Sequence, residues 1–248
     1  MNPLSDSAAP YQLILSRGLP DAAGAARLRQ DLPDAEWHWI SRLRRTEDRL
    51  RSLTGRALVR RLLGQRLGQS PARVRLGTDP HGKPMLADAD AHADGGDAGA
   101  AAWHFNIAHS GDLILAGVGP GPLGVDVEHC TSPVDAALWQ RVTGQAPAQP
   151  QPDPRDFCAQ WVRREAVLKA CGLGLRIEPA ALRLGHGDPA AWTPVSGPPA
   201  TGGLQVCLLP TPPDHCAALC LPGDAARTAA WSLCRVRLAD WITASTPA

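Results

Sequence analysis

Two carboxylates in the segment Leu123–Glu128 have the type and spacing of metal ligands. Asp126 and Glu128 lie two residues apart, so in a β-strand both side chains would share one face. Val125 and Val127 would then face the other way, into a core. Adjacent carboxylates repel each other unless a cation or a proton lies between them, and oxygen ligands favour a hard cation such as Mg²⁺. An Asp-x-Glu pair is common in strands, so by itself it indicates a metal site only weakly.

A second set of polar residues follows helical spacing further along the chain. Trp161, Glu165 and Lys169 are each four residues apart and would form one stripe on a helix. Glu165 can serve as a third metal ligand or as a general base, and Lys169 can neutralise a phosphate. The alternative is an ordinary ion pair between Glu165 and Lys169 worth roughly 0.3–0.5 kcal/mol, which this helix alone would favour.

Basic residues elsewhere could contact an anion. His109 follows the predicted strand Trp103–Ala108 at its turn, and Lys83 follows a predicted turn. A lone His is more often structural, and Lys83 is by default an exposed cation. Residues 42–75 contain eleven Arg and only two acids. Such an excess indicates either an anionic partner or a solvated helix face, and both interpretations stay open.

The elements that must position these residues are short strands and two long helices. The apolar spacing predicts one helix at Glu47–Gly68, and a second is predicted at Asp156–Cys171 with Asp156 as its N-cap and Gly172 as its end. Residues 87–102 are rich in Ala, Gly and Asp and predict a flexible surface loop. The predicted strands are Leu13–Leu15, Val74–Leu76, Trp103–Ala108, Leu113–Val118, Leu123–Glu128, Leu182–Leu184, Gln205–Leu209, Ala217–Leu221 and Ser232–Leu238.

A faint internal repeat appears when the chain is shifted by 108 residues. Seven of the fourteen positions of residues 64–77 are then identical to residues 172–185. The shift pairs the two predicted helices and the strand after each, so it predicts two similar α+β halves. Ala57 falls opposite Glu165. Only the second half therefore carries that carboxylate, and we expect one active site per chain.

The composition bounds the class of protein. The 248 residues are 44% hydrophobic with a net charge of +1, as in a soluble globular protein. No targeting segment is visible and no apolar stretch approaches the roughly 20 residues of a membrane span, so we expect a cytoplasmic protein without a membrane partner. The seven Cys are odd in number and include no CxxC pair. This pattern argues against a disulfide framework or a zinc site and favours reduced, buried thiols.

Five motifs occur in order between Arg42 and Leu184, and their combination is more specific than any one of them. They are Thr54-Gly55-Arg56 in the Arg-rich helix, Gly82-Lys83-Pro84, the run Phe105–Ser110, the run Gly124–Glu128, and the run Trp161–Lys169 followed by Gly172–Leu175. This set resembles the surfactin-synthetase-activating type of 4′-phosphopantetheinyl transferase, in the holo-carrier-protein synthase superfamily. The resemblance implies an α+β fold that is a pseudo-dimer of two similar halves. Each half would be a helix packed on a small antiparallel sheet, with coenzyme A in the cleft between the halves.

The resemblance also assigns roles residue by residue. It implies that Asp126, Glu128 and Glu165 are the Mg²⁺ ligands and that Glu165, Lys169 and His109 are the catalytic residues. It places Arg45, Arg49, Ser52, Arg56, Lys83, Pro84, His109, Arg164 and Lys169 at the coenzyme A site. Within that set Lys169 and His109 would contact the phosphates, and Lys83, Pro84 and Arg56 would lie at the nucleotide. Ser52 or a nearby Arg would take the 3′-phosphate.

The chain departs from the family pattern at three places. Ala108 stands where a Ser usually precedes the motif His, which removes one hydroxyl donor. Arg164 stands where a Lys usually precedes the motif Glu, which keeps the charge. No clear basic pair precedes the first helix, where Glu36, Trp37 and Trp39 occur. The Arg that binds the 3′-phosphate is therefore not defined by the sequence.

The implied reaction transfers 4′-phosphopantetheine from coenzyme A to a Ser of an apo acyl or peptidyl carrier protein. It requires Mg²⁺ and releases 3′,5′-ADP. Residues 1–119 would form the half on the nucleotide side, and residues 120–248 the half with the metal and catalytic residues. A chain with both halves can build the cleft alone, so we expect a monomer. The family's carrier partners are generally acidic, which suits the Arg-rich segment.

Two alternatives to this activity remain. The chain could be a basic nucleic-acid-binding module with structural carboxylates, although it is near neutral overall and shows no known binding motif. It could also be a non-catalytic homologue that binds coenzyme A. The presence of all three carboxylates argues against that second alternative, and we expect no nucleic acid among the partners.

Overall fold

The computed structural model describes residues 9–79, 83–87, 103–131, 133–185, 188–228 and 231–244. The helices are α1 (Ala22–Arg29), α2 (Asp34–Ser41), α3 (Thr46–Leu67), α4 (Ala136–Thr143), α5 (Pro154–Cys171), α6 (Gly223–Arg227) and α7 (Leu238–Ala244). The strands are β1 (Tyr11–Arg17), β2 (Leu76–Thr78), β3 (Pro84–Leu86), β4 (His104–Ser110), β5 (Leu113–Gly119), β6 (Gly124–His129), β7 (Arg183–Leu184), β8 (Thr193–Ser196), β9 (Leu204–Leu209), β10 (His215–Pro222) and β11 (Trp231–Arg237). No helix in these described ranges combines the length and the apolar character needed to cross a bilayer.

The chain forms two compact units whose division differs from the predicted one. The first unit runs to Gly121 and resumes at Trp231, and the second is Pro122–Ala230. The predicted boundary after residue 119 is therefore two residues early, and the assignment of the C-terminal residues to the second half is wrong. The reason is that β11 pairs in parallel with β1 over its whole length, which returns the end of the chain to the first unit.

The first unit packs helix α3 against a four-stranded sheet in the order β11-β1-β5-β4. Strands β4 and β5 form an antiparallel hairpin, and β5 also pairs antiparallel with β1. Leu58 and Leu62 of α3 share a fully buried core with Ile14 and Ile114 of the sheet. Because β1 and β11 run in parallel, this sheet is mixed, whereas a purely antiparallel sheet was expected. A strand arriving from the distant end of the chain is free of the hairpin geometry that makes sequential neighbours antiparallel.

The second unit packs helix α5 against a five-stranded antiparallel sheet in the order β6-β10-β9-β8-β7. Val162 and Ala166 of α5 are buried in one core with Val206 and Ala218 of the sheet. Strand β10 lies between β6 and β9 and is buried along seven of its eight residues. Each unit is therefore a long helix on a small sheet, as predicted.

Helix α5 begins at Pro154 and not at the predicted residue. Asp153 is its N-cap, because its Oδ1 accepts hydrogen bonds from the backbone N–H groups of Arg155 at 2.8 Å and Asp156 at 3.1 Å. Proline fits the first helical position since no N–H is needed there. Asp156 therefore lies inside the first turn. Gly172 ends the helix as predicted, in the left-handed conformation with φ 74°.

The 108-residue repeat corresponds to equivalent local structure. Pro71–Arg73 and Pro179–Ala181, which the shift superimposes in sequence, are both single 3₁₀ turns followed by a short strand. Ala57, the counterpart of Glu165, is fully buried in α3. The carboxylate is therefore specific to the second unit. Most of the predicted loop lies outside the described residues, as do residues 80–82 before Lys83.

Candidate active site

Asp126 is the most buried of the three predicted metal ligands. It lies on β6 and is 4% exposed. Its Oδ1 accepts a hydrogen bond from Lys169 Nζ at 2.6 Å. Its Oδ2 is also buried and has no hydrogen-bond partner in the part of the chain that the structure describes. Because a buried carboxylate oxygen without a partner is costly, this atom is placed to bind a cation or to hold a proton.

Helix α5 comes unusually close to this strand, and one glycine allows it. A Cβ atom at Gly124 would lie 1.8 Å from the carbonyl oxygen of Ala166 and 2.5 Å from the backbone nitrogen of Ala170. Any side chain there would push the helix away from the strand and separate Lys169 from Asp126. Gly124 belongs to a motif noted in the sequence, but the need for a glycine at this position was missed because it depends on a neighbour far along the chain.

Burial and mutual repulsion govern the protonation of the carboxylates. The pKa of Asp126 is raised to about 7, because the effect of burial outweighs the lowering by Lys169 and the neighbouring Glu128 and Glu165 add to the rise. Burial also raises the pKa of Glu165, with Lys169 opposing and Glu128 adding to the rise. One ammonium at 2.6 Å does not offset the burial of Asp126. The group of acids is therefore short of positive charge.

The donor set fits a hard divalent cation. Asp126, Glu128 and Glu165 offer carboxylate oxygens, which Mg²⁺ prefers, and Asp126 Oδ2 is the buried atom that needs a partner. The three carboxylates are not among the described groups whose ligand atoms all lie within 4.8 Å of one another. Side-chain rotation would therefore be needed to close them around one ion. They are the residues that could hold Mg²⁺ in the second unit.

An apolar cavity opens beside the carboxylates within the second unit. Its volume is about 610 Å³, and Glu128, Trp161, Phe157 and Leu175 contribute to its lining. Trp161 precedes Glu165 by one turn of α5, so the predicted stripe on this helix runs from the cavity to Lys169. Glu128 therefore borders a space large enough for part of a substrate.

His109, Lys83 and Pro84 belong to the first unit. His109 lies inside strand β4 and opposite Ile114, and not in the turn where it was predicted. Its side chain is exposed. Lys83 is half-buried, and its backbone N–H donates to Asp79 Oδ1 at 2.8 Å. Pro84 begins β3 directly after it.

The predicted residues of the Arg-rich segment lie at the start of α3 and along it. Arg45 is exposed at the N-cap position of this helix. Arg49 donates from Nη2 to Thr46 Oγ1 at 2.8 Å, and Ser52 is half-buried one turn later. A helix N-terminus favours an anion, which makes Arg45 the best placed of the three for a phosphate.

Acidic residues before α3 pair with three of the eleven Arg in residues 42–75. Arg60 is 2% exposed and donates from Nε to Glu36 Oε2 at 2.7 Å, and Arg56 forms an ion pair with the same Glu36. Arg61 donates from Nε to Asp31 Oδ2 at 2.6 Å. These contacts give the segment a structural role that its own composition does not indicate, because Glu36 and Asp31 lie outside residues 42–75. Arg56, predicted at the nucleotide, is engaged in this network.

Arg164 makes contacts within the protein that differ from the coenzyme A contact implied by the resemblance. Its side chain is 4% exposed and lies in the second unit. It donates to the side chain of Gln160 at 2.6 Å and to the carbonyl oxygen of Pro179 at 3.3 Å. Burial lowers its pKa to about 10. The geometry therefore gives Arg164 a structural task, which is to tie α5 to the following 3₁₀ turn, and argues against contact with a cofactor.

Comparisons with known proteins agree with the two-unit fold. Residues 20–118 match the family described as "4′-phosphopantetheinyl transferase, N-terminal", and residues 122–196 match the "4′-phosphopantetheinyl transferase superfamily". The phosphopantetheinyl transferase of Thraustochytrium sp. is 28% identical over 89% of this chain and 82% of its own length. HetI of Nostoc sp. is 28% identical over 69% of this chain and 70% of its own length. Sfp of Bacillus subtilis is 28% identical over 53% of this chain and 56% of its own length.

The matches in both units define the class of protein, which is a transferase. The chain belongs to the 4′-phosphopantetheinyl transferase superfamily. The predicted resemblance to the surfactin-synthetase-activating type is confirmed by the similarity to Sfp, and the predicted enzyme class is confirmed with it.

Proposed function

We propose that this chain transfers the 4′-phosphopantetheine group of coenzyme A to a Ser hydroxyl of an apo acyl or peptidyl carrier protein and releases 3′,5′-ADP. The proposal is supported most directly by Asp126, whose Oδ1 is bound by Lys169 and whose buried Oδ2 lacks a partner among the described residues. In this proposal a cation would bind Oδ2 of Asp126, and the phosphate of the substrate would lie near Lys169. The names of the related transferases supply the chemistry of the transferred group.

Asp126, Glu128 and Glu165 would hold Mg²⁺ in this proposal. When bound, Mg²⁺ supplies positive charge to the pyrophosphate oxygens, which become more negative as the leaving group departs. Lys169 has two tasks: it orients Asp126 through the 2.6 Å hydrogen bond and offers a fixed positive charge to the transferred phosphoryl group.

Glu165 is the proposed general base. It is half-buried on α5, and burial raises the pKa of its carboxyl above the ordinary value, which makes it a better proton acceptor than an exposed glutamate. It would accept the proton of the carrier Ser as the oxygen attacks phosphorus. General-base assistance is typically worth roughly 10²–10⁴-fold in rate.

The coenzyme A contacts in the first unit stay predictions. We propose that His109 donates to a phosphate and that Lys83, Pro84 and Arg45 contact the nucleotide, with Arg49 or Ser52 at the 3′-phosphate. Arg56 is the weakest member of this set because its guanidinium is paired with Glu36. The monomeric state and the cytoplasmic location also stay predictions from the sequence.

Glu165→Ala tests the assignment. We expect this variant to transfer at least about 100-fold more slowly than the wild type while coenzyme A still binds. Asp224→Ala is the matched control, since Asp224 is an exposed carboxylate of the same unit and lies outside the proposed site. The readout is the intact mass of an apo carrier protein over time. Conversion by Glu165→Ala at the wild-type rate would remove Glu165 from the mechanism.

The nucleic-acid alternative is not favoured. Arg60 and Arg61 are ion-paired with acids of the first unit, so part of the basic segment is neutralised within the fold. The non-catalytic alternative makes the opposite prediction in the same mass assay, since such a homologue would bind coenzyme A and leave every carrier unmodified.

A further inference from the structure

Three cysteines far apart in the sequence meet at one corner of the second unit. The sulfur atoms of Cys130, Cys158 and Cys216 all lie within 4.8 Å of one another. Cys130 follows the end of β6, Cys216 is the second residue of β10, and Cys158 lies near the start of α5. Cys158 and Cys216 are 5% and 3% exposed, and Cys130 is half-buried. Packing three thiols together in this way is far more specific than a lone buried cysteine.

The sulfur atoms are held by the backbone around them. Cys130 and Cys158 both donate to the carbonyl oxygen of Glu128, at 3.8 and 3.5 Å, and Cys216 donates to the carbonyl oxygen of Arg155 at 3.8 Å. Arg155 also donates from its side chain to the carbonyl oxygen of His215 at 3.2 Å. A guanidinium therefore stands at the same corner, where it would favour negative thiolates.

The arrangement suits a thiophilic cation. Zn²⁺ binds thiolates at about 2.3 Å in tetrahedral geometry, which puts ligand sulfurs about 3.8 Å apart. Sulfur atoms within 4.8 Å of one another need only small side-chain movements to reach that spacing. Cys130 and Cys158 also line the cavity of about 610 Å³, which provides an entry path for an ion.

We propose that Cys130, Cys158 and Cys216 form a binding site for a thiophilic divalent cation such as Zn²⁺, which ties the end of β6 and the start of β10 to helix α5. Each thiol gives up its proton to solvent as its sulfur binds the metal, and the fourth position is open to water or to another donor. This site is separate from the carboxylates, since Mg²⁺ prefers oxygen and sulfur selects softer metals. It does not depend on the proposed transferase activity.

The sequence argued against such a site because no two cysteines have CxxC spacing. The ligands come instead from three separate elements, and only pairing of β10 with β6 and packing of α5 on both strands bring them together. A neighbouring group, formed by His129, Asp214 and His215, also has ligand atoms within 4.8 Å of one another. Adjacent residues of a strand point to opposite faces, so His215 and Cys216 of β10 face opposite ways. Metal binding by the histidine group can therefore be compared with binding by the three thiols in the same protein.

The test is a titration of the reduced, metal-free full-length chain with Cd²⁺ and, separately, with Zn²⁺, both in excess Mg²⁺. We expect one Cd²⁺ per chain, an ultraviolet thiolate-to-metal charge-transfer band, and a higher melting temperature with Zn²⁺. Cys158→Ser and Cys130→Ser should each lose the band and bind more than tenfold more weakly. Cys171→Ser is the matched control, since this thiol of the same helix lies outside the group and should behave as wild type.

Three outcomes would overturn the proposal. The first is the absence of tight Cd²⁺ or Zn²⁺ binding by the reduced wild type. The second is a charge-transfer band that survives in Cys130→Ser and Cys158→Ser. The third is binding that is lost in His129→Ala and retained in Cys158→Ser, which would assign the ion to the histidine group. Cys130 is only half-buried, so we expect Cys130→Ser to fold normally. The circular dichroism of this variant should match that of the wild type, which separates loss of metal binding from unfolding.

Discussion

At the scale of residues, the two oxygens of Asp126 have different surroundings. One is bound by Lys169 and the other is buried without a partner among the described residues. A purely structural carboxylate would be expected to have both oxygens satisfied or exposed to water, because burying an unpaired acceptor costs stability. A shifted pKa beside a cavity is typical of functional sites, and Asp126 combines that shift with the unsatisfied oxygen.

The raised pKa of Asp126 predicts a pH effect in the absence of divalent metal. The folded chain holds this proton up to about pH 7, whereas the unfolded chain releases it near pH 4. Raising the pH from 5 to 8 should therefore lower the free energy of unfolding, by about 2 kcal/mol from this group. Asp126→Asn should lack that part of the loss. Urea unfolding in EDTA at pH 5 and pH 8 measures it.

Asp224→Asn is the control for this pH effect, because Asp224 is an exposed carboxylate of the same unit and lies outside the proposed site. Its unfolding should follow the wild type at both pH values. Equal pH dependence in Asp126→Asn and the wild type would show that Asp126 is ionised throughout the range.

At the scale of elements, the site depends on how closely helices approach their neighbours. Helix α5 lies against β6 at Gly124, and α2 is joined to α3 through Glu36. These two contacts differ in kind, since the first is a steric fit between backbones and the second is an ion pair at a half-buried position. Each can be tested by one substitution.

Gly124→Ala should destabilise the second unit. The added Cβ would meet the backbone of Ala166 at 1.8 Å, and backbone cannot rotate aside as a side chain can. We expect a loss of about 2 kcal/mol or more in the free energy of unfolding, and slower transfer because Lys169 moves away from Asp126. Gly77→Ala is the control, since its Cβ would have no neighbour closer than 4.0 Å. Equal stability of the two variants would contradict the close approach.

Glu36→Ala should destabilise the first unit. The substitution leaves the guanidinium of Arg60, which is 2% exposed, without its carboxylate. Breaking a buried pair by removing one partner costs about 3 kcal/mol or more. Glu47→Ala, which removes an exposed carboxylate of α3, should change stability by less than about 0.5 kcal/mol. Thermal unfolding followed by circular dichroism compares the two variants, and equal melting temperatures would exclude this role for Glu36.

The elements also show which features the sequence could predict. The alternation of Asp126 and Glu128 on β6 and the four-residue spacing from Trp161 to Lys169 are local regularities, so the pattern predicted them correctly. The N-cap was misplaced by three residues because Asp153 and Asp156 are both suitable caps and Pro154 decides between them. Helices α1, α2 and α4 are short, at eight residues each, and gave too little periodicity to be predicted.

At the scale of the whole molecule, the features that escaped prediction join distant parts of the chain. β11 pairs with β1 across more than 200 residues, so no local pattern could place it in the first unit. The cysteine group has the same origin, since Cys130 and Cys216 are brought together by the pairing of β6 with β10. The repeat was visible because duplication preserves local sequence, including the 3₁₀ turns at Pro71 and Pro179.

The two units divide the proposed work of the transferase. The first unit contributes a basic helix whose charge is partly neutralised by its own acids, and the second contributes the carboxylates, Lys169 and the cavity. Family matches in both units show that the chain belongs to the superfamily. The dependence of transfer on metal is the claim that links the geometry of Asp126 to this membership.

The most direct test of that claim is the intact mass of a small panel of apo carrier proteins incubated with coenzyme A and this chain. With Mg²⁺ present, at least one carrier should gain the mass of one phosphopantetheine group on its Ser. With EDTA the gain should vanish, and added Mg²⁺ should restore it. Transfer that continues unchanged in EDTA would contradict the carboxylate metal site, and a folded chain that modifies none of the carriers with Mg²⁺ would contradict the proposed function.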